Sequence, residues 1–181
     1  MRTYVALLRG ISPSGPNMTN DKLRGVFERL GFAEVGSVLA SGNIVFRSGH
    51  TDVPALEQRI ENALVADLEV SSRTIVRDLR GLRALVDSDP FPGMTHGNDT
   101  YLTASFLKHP GTALGVLPER LDPGTRLVRY DAAAGALLAV TDNTAPDRAR
   151  GFMVWLDASF GKDVTTRSWL TVQRVVRKME S

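Results

Sequence analysis

The sequence predicts an α+β fold in which two successive halves each place strands and helices in the order β-α-β-β-α-β. Short apolar runs alternate with segments whose apolar residues recur every three or four positions, as in buried strands and amphipathic helices. A stretch rich in proline and glycine lies near the middle of the 181-residue chain, and the order of elements starts again after it. This order is the split βαβ, or ferredoxin-like, arrangement, with antiparallel sheets and helices packed on one face.

The first half opens on the continuous apolar run Tyr4–Leu8, which predicts a buried central strand. The helix that follows is capped by Thr19 or Asn20 and ends before Gly31. Its apolar face repeats at i, i+3, i+4 and i+7. The residues of that face are Leu23, Val26, Phe27 and Leu30.

Two strands, Val35–Leu39 and Ile44–Phe46, come next, and glycine and asparagine between them indicate a tight turn. Asp52 caps a second helix that has proline in its first turn. The strand Val70–Val76 follows, and Asp78 caps a short third helix.

The second half is predicted to repeat this order, beginning with the strand Tyr101–Leu107. Ala113–Leu117 forms a short helix at most, and Leu127–Tyr130 pairs with Leu137–Val140 as a hairpin that turns near Gly135. The remaining elements are a helix capped by Asp147, a short strand around Val164 and a last helix that begins near Trp169. The predicted division is therefore 1–88 for the first half, 89–99 for the linker and 100–181 for the second half with its C-terminal helix.

Composition limits the classes of function. The chain has no cysteine, which excludes disulfides, thiolate catalysis and cysteine-ligated metals and suits a reducing compartment. The apolar run near the N-terminus is too short for a signal peptide, and no stretch is long enough for a membrane helix. We therefore expect a cytoplasmic protein without a membrane partner. A net charge of +2 with pI about 9.2 does not by itself indicate nucleic-acid binding.

The first candidate site is the loop that leaves the first strand, from Arg9 and Gly10 to Asn17. A glycine-containing loop between a strand and a helix can direct backbone N–H groups at an anion. This loop has neither the lysine of a P-loop nor the glycine spacing of a dinucleotide fingerprint. The alternative is an ordinary connection in which Arg9 is solvated or paired.

The second candidate is Ser41-Gly42-Asn43, whose alternative is a plain hairpin turn, because no nucleophile elbow surrounds the serine. The third is the segment Thr165-Thr166-Arg167-Ser168-Trp169 at the start of the last helix. There an anion would meet hydroxyls, a guanidinium and the positive end of the helix dipole. Its alternative is N-capping by Thr166 or Ser168, with Trp169 anchored in the core.

No metal or cofactor is predicted. The histidines are His50, His96 and His109, which lie in separate connections without ligand spacing. No carboxylate pair is marked for acid–base work. Whether the protein is an enzyme stays open, since no nucleophile, base or reaction can be named.

The three candidate segments carry a family resemblance. The run Ala6–Ile11 (Ala-Leu-Leu-Arg-Gly-Ile) resembles the opening motif of the bacterial DUF1697 family, and Leu39–Phe46 is similar to its Ser-Gly-Asn motif. Thr165–Val172 is similar to the family's C-terminal Thr-x-Arg-Asn-Trp-Asn-Thr motif. The resemblance spans the chain and implies an α+β fold with duplicated ferredoxin-like halves. The family's function is unknown, so no catalytic residue is carried over.

The chain departs from the family pattern in two motifs. Ser12 stands where the family usually has asparagine, and Pro13, Ser14 and Pro16 replace a Val-Gly-Gly-like loop. In the last motif, Ser168 and Leu170 stand where the family tends to have asparagine. An asparagine side chain offers two donors and one acceptor, whereas leucine offers none. The ligand therefore differs here, or the site has drifted.

The leading hypothesis is a protein that binds a small anionic or phosphate-bearing molecule where the three segments converge. The residues predicted to bind it are Arg9, Gly10, Asn17, Ser41, Gly42, Asn43, Thr165, Thr166, Arg167 and Trp169. Nucleic-acid binding on an open sheet is an alternative, although the aromatic motif of RNA-recognition domains is missing. A structural or interaction protein whose motifs join the two halves is another. The oligomeric state stays open.

Overall fold

The computed structural model describes residues 1–40, 42–110, 114, 117–118, 120–144 and 150–181. The strands within these residues are β1 (Arg2–Leu8), β2 (Ala33–Ser37), β3 (Asn43–Ser48), β4 (Thr74–Asp78), β5 (Thr100–Leu107), β6 (Arg120–Asp122), β7 (Thr125–Asp131), β8 (Ala136–Asp142) and β9 (Val164–Ser168). The helices are α1 (Asn20–Arg29), α2 (Val53–Leu68), α3 (Leu79–Asp87), α4 (Arg150–Phe160) and α5 (Trp169–Glu180). Within the described residues, none of the helices combines the length and apolar composition that crossing a bilayer requires.

Contacts between residues group the chain into two units. The first unit consists of Met1–Leu82 and Arg174–Ser181, and the second consists of Arg83–Gln173. The predicted division of the sequence at 1–88 and 100–181 stays a prediction.

The sheet of the first unit has the strand order β2-β3-β1-β4, and neighbouring strands are antiparallel. Tyr4, Ala6 and Leu8 of β1 face a core that contains apolar residues of α1 and α2. Val5 and Leu7 point to the opposite face, where they are 0% and 2% exposed. Because β1 is buried on both faces, its sequence is a continuous apolar run rather than an alternating one. The predicted α+β, ferredoxin-like arrangement is confirmed in this unit.

The predicted helix boundaries of the first unit follow from local capping. The Thr19 side chain accepts a hydrogen bond from the Lys22 N–H, and the Asp52 side chain accepts one from the Ala55 N–H. Gly31 follows α1 with a φ of +80°, the left-handed geometry that ends many helices. The Asp78 Oδ1 accepts from the Gly81 N–H at 2.8 Å, which caps α3.

The strand predicted at Val70–Val76 begins later than expected, at Thr74. Glu69 ends α2 with a φ of +57°, and the Val70 N–H donates to the Leu64 carbonyl at 3.1 Å. Val70 is only 3% exposed, so its apolar side chain belongs to the hydrophobic contact that accompanies such a helix end. The strand predicted at Val35–Leu39 also differs from the structure, because β2 ends earlier, at Ser37.

The sheet of the second unit has the order β6-β7-β8-β5-β9, in which the last four strands repeat the order of the first sheet. The hairpin of β7 and β8 and the strand β9 confirm the predictions for these segments. β6 was not predicted, because its three residues contain a single apolar side chain. α4 contributes Phe152 and Leu156 to a core beneath the sheet. The short helix predicted at 113–117 and the Asp147 cap fall largely or wholly outside the described residues.

Candidate functional site

The end of β1 places Arg9 and Gly10 at a corner of the first sheet. The Arg9 N–H donates to the Arg73 carbonyl at 2.9 Å, and the Arg9 carbonyl accepts from the Ser72 hydroxyl at 2.7 Å. Gly10 is exposed and has a φ of +74°. A Cβ there would meet no atom within 4 Å. Among the described residues, no acceptor lies on the Gly10 N–H, which adds a backbone donor next to Arg9 in sequence.

Arg73 is a second cation at this corner, and it lies outside the three motif segments. The ladder between β1 and β4 pairs Leu8 with Thr74, and the bond from Arg9 to Arg73 extends it by one step. Directly opposed residues of antiparallel strands project from the same face, so both guanidinium side chains start from one corner of the sheet. Arg73 Nη1 also donates to the Glu61 carboxylate at 3.3 Å. The only sequence signal was a basic residue within the strand predicted at Val70–Val76.

The first two motif segments meet at Gly42. The Gly42 carbonyl accepts from the Leu8 N–H at 2.8 Å. A Cβ on Gly42 would lie 2.7 Å from Ile11 Cγ1 and 3.0 Å from Leu8 Cβ. The absence of a side chain therefore lets the turn after β2 pack against the loop that follows β1. Ser41, also predicted to bind the ligand, lies outside the described residues.

Asn43 is 0% exposed, and its side-chain amide donates to the Val38 carbonyl at 3.0 Å. The Val38 N–H returns a bond to the Asn43 carbonyl at 2.9 Å. These two bonds close the turn between β2 and β3, as the hairpin alternative requires.

Asn17 joins three segments of the first unit. Its amide donates to the Leu68 carbonyl at 3.0 Å, and its Oδ1 accepts from Lys22 Nζ at 2.7 Å. Its φ of +63° is one that asparagine tolerates better than most residues. Asn17 thus holds the loop from Arg9 against the end of α2 and the start of α1.

The third segment lies in the second unit, where strand alternation separates its two threonines. The Thr166 hydroxyl pairs with the Ser105 hydroxyl at 2.8 Å, on the face of the sheet that packs against α4. Thr165 and Arg167 point to the opposite face. Only Thr165 therefore shares a face with the guanidinium group.

Arg167 is held by neutral oxygens. Its Nη1 donates to the Thr165 hydroxyl at 2.8 Å and to the Thr166 carbonyl at 3.0 Å. Burial lowers the pKa of Arg167 to about 10, because desolvation disfavours the charged form. The position of this segment relative to Arg9 and Gly42 stays a prediction.

The start of α5 follows the capping alternative. The Ser168 hydroxyl accepts from the Thr171 N–H at 3.2 Å. Trp169 is 7% exposed and meets the edge of Phe91 with ring centroids 5.2 Å apart. Leu170 is 42% exposed, so the asparagine-to-leucine departure from the family motif falls on a surface position.

The three histidines of the chain lie in separate environments. His96 Nδ1 accepts from the Leu102 N–H at 3.1 Å, and the His50 carbonyl accepts from the Tyr4 hydroxyl at 3.0 Å. His109 lies 3.8 Å from the Asp163 carboxylate. Within the described part of the chain, no three His, Cys, Asp or Glu side chains are grouped so that they could hold a metal ion.

Comparison with known proteins supports the fold and leaves the function open. A family model described as "Protein of unknown function (DUF1697)" matches residues 1–122. No curated protein matches the chain. Among solved structures, "conserved bacterial protein SP0830 from Streptococcus pneumoniae" is similar with a TM-score of 0.74 at 17% sequence identity. The match covers 100% of this chain and 99% of that one.

Proposed function

Because the chain belongs to the DUF1697 family of proteins of unknown function, its activity has to follow from its own site, and we propose that it binds a small anionic or phosphate-bearing molecule. The residues proposed to bind it lie around Arg9 and Gly42 in the first unit and around Arg167 in the second. Phosphate and carboxylate oxygens accept paired hydrogen bonds from the planar guanidinium fork. The segments around Arg9 and Arg167 each supply such a fork. The segment around Gly42 supplies the turn against which the loop after Arg9 packs.

The observation that carries the proposal is the corner of the first sheet where Arg9 and Arg73 stand opposite each other. Like charges on directly opposed positions destabilise a sheet. The ion pair between Arg73 and Glu61 at 3.3 Å offsets part of that repulsion, and a bound anion would offset more of it. The Gly10 N–H beside them adds a neutral donor that has no acceptor within the described residues. A positive φ at glycine leaves room for the backbone to approach an anion closely.

Arg167 supports the same chemistry in the second unit. Taking a guanidinium partly out of water is costly, because the charged form loses hydration. The lowered pKa of Arg167 expresses that cost. An anion beside this group would favour its charged form and offset the desolvation.

A structural role is the second candidate, and specific hydrogen bonds favour it. The side chains of Asn43, Thr166 and Ser168 bond to partners within their own unit. If the motifs serve only to hold the fold, replacing Arg167 lowers stability and leaves phosphate binding unchanged. Anion binding that is lost when Arg9 is replaced would support the binding function over the structural role.

The test is a titration of the full chain with inorganic phosphate, followed by amide proton–nitrogen correlation spectra at constant ionic strength. We expect saturable shifts centred on Gly10 and Ile11 and their loss in Arg9→Gln and Arg73→Gln. Arg29→Gln is the matched control. Arg29 ends α1 and pairs with Asp67 of α2, and 58% of the Arg29 side chain is exposed. Shifts that never saturate, or that are the same in Arg9→Gln and Arg29→Gln, would contradict the proposal.

We also propose that the protein acts in the cytoplasm. A chain without cysteine is suited to a reducing compartment. Fractionation of the source cell with a tagged full-length chain checks this, and recovery outside the cytoplasmic fraction counts against it.

A further inference from the structure

Two glutamates of α2 bind the outer edge of the first sheet. β4 is an outer strand of that sheet. Glu57 Oε1 accepts from the Val76 N–H at 2.9 Å, and Glu61 Oε1 accepts from the Thr74 N–H at 2.8 Å. The two glutamates are only 3% and 8% exposed.

The spacing of the two elements explains why both bonds form. Residues four apart on a helix are separated by about 6 Å along its axis, and residues two apart on a strand by about 6.6 Å. Glu57 and Glu61 therefore match Val76 and Thr74 in sequence spacing and in space. In the ladder with β1, Val76 pairs with Ala6 and Thr74 with Leu8, and the bonds to the carboxylates show that their N–H groups point away from β1.

Burying two carboxylates is expensive unless each one is hydrogen-bonded. A charged acceptor on a backbone N–H is the stronger kind of hydrogen bond, and Glu61 gains a further bond from Arg73 at 3.3 Å. A packing role alone would be served at lower cost by leucine or methionine. The carboxylates instead occupy the donors that an additional strand would use.

From these contacts we propose that Glu57 and Glu61 close the β4 edge and so prevent an extended segment of a second copy of this chain from pairing with it. The helix supplies acceptors to two donors of the edge, so an added strand would have to displace both carboxylates to pair there. α4 (Arg150–Phe160), the helix that packs against the second sheet, contains no glutamate.

The test compares two double variants of the full chain. Glu57→Met with Glu61→Met keeps the side-chain length and removes the acceptors, whereas Glu57→Gln with Glu61→Gln keeps a carbonyl oxygen at each position. We expect the Met variant to exchange its Thr74 and Val76 amide protons faster by on the order of tenfold or more. It should also sediment as larger species with rising concentration. The Gln variant should resemble the wild type in both measurements.

The amides of Ile75 and Arg77 serve as internal controls, since they face β1, and they report whether the sheet itself stays folded. If the double Met variant does not fold, the single Glu57→Met variant should show the same effects at Val76. A Met variant that is folded, that exchanges like the wild type and that shows no added self-association overturns the proposal.

Discussion

Arg77 on β4 and Arg167 on β9 occupy the same position in two copies of one structural unit. Arg77 stands opposite Val5 of the central strand β1, and Arg167 stands opposite Ala104 of β5. Each guanidinium donates to the carbonyl of the residue before it, at 2.8 Å and 3.0 Å. The repeat that the sequence shows only as an order of elements thus extends to individual residues.

The residue after each of these arginines caps the next helix, which gives the first prediction. Asp78 caps α3 and Ser168 caps α5 through the same bond to an N–H three residues later. Ser168→Ala should lower the free energy of unfolding by about 1 kcal/mol. Ser168→Asp should leave it unchanged or raise it, because aspartate does this work at the equivalent position. Urea denaturation of both variants checks this, and equal losses would show that the cap is not what Ser168 contributes.

Gly10 and Gly42 form a matched pair for the second prediction. Their φ angles are +74° and +75°. An alanine at either position would therefore carry the same left-handed backbone strain, about 1 kcal/mol. Only at Gly42 would the new Cβ also collide, at 2.7 Å from Ile11. We expect Gly42→Ala to destabilise by about 3 kcal/mol and Gly10→Ala by the strain alone.

Thermal denaturation of the two glycine variants measures the difference directly. Equal losses of stability would mean that the turn at Gly42 can move away from Ile11. The packing between the first two motif segments would then not depend on the missing side chain.

The third prediction concerns the pH dependence of stability at Arg167. Its folded-state pKa of about 10 lies below the ordinary value for arginine, so on raising the pH the folded chain releases this proton before the unfolded chain does. The unfolded state then binds more protons, and the contribution of this residue to stability rises with pH. Measured without phosphate, the free energy of unfolding of the wild type minus that of Arg167→Gln should increase from about pH 9 to about pH 11.

Taking the difference between the two proteins cancels the alkaline titration of the other groups. Arg77→Gln provides a parallel variant at the equivalent position of the first half. A difference between wild type and Arg167→Gln that is flat or that falls over this range would show that the Arg167 guanidinium is not desolvated.

Local chemistry made much of the fold predictable. Asp52, Asp78 and Gly31 mark helix ends through bonds and φ angles that each depend on a few neighbouring residues. The run Tyr4–Leu8 predicted a buried strand, and β1 is buried on both faces. Val70 misled the strand assignment, because an apolar residue after a helix looks the same whether it begins a strand or packs against the helix end.

The candidate site was less predictable, because its members are defined by pairing across the sheet. Arg73 matters through its position opposite Arg9, which depends on the register of β1 with β4 rather than on any local motif. Thr165 and Thr166 are neighbours in sequence and were predicted to act together, although strand alternation sends them to opposite faces. The resemblance to the family motifs located the three candidate segments. Which of their side chains share a face of the sheet follows only from the register of the strands.

The most direct test of the proposed anion site is the affinity of the full chain for inorganic phosphate in variants of the two opposed arginines, Arg9 and Arg73. Calorimetric titration of the wild type should give saturable binding. Arg9→Gln and Arg73→Gln should each weaken that binding by about tenfold or more, while Arg29→Gln leaves it unchanged. Wild-type affinity in Arg9→Gln, or an equal loss of affinity in Arg29→Gln, would contradict the site.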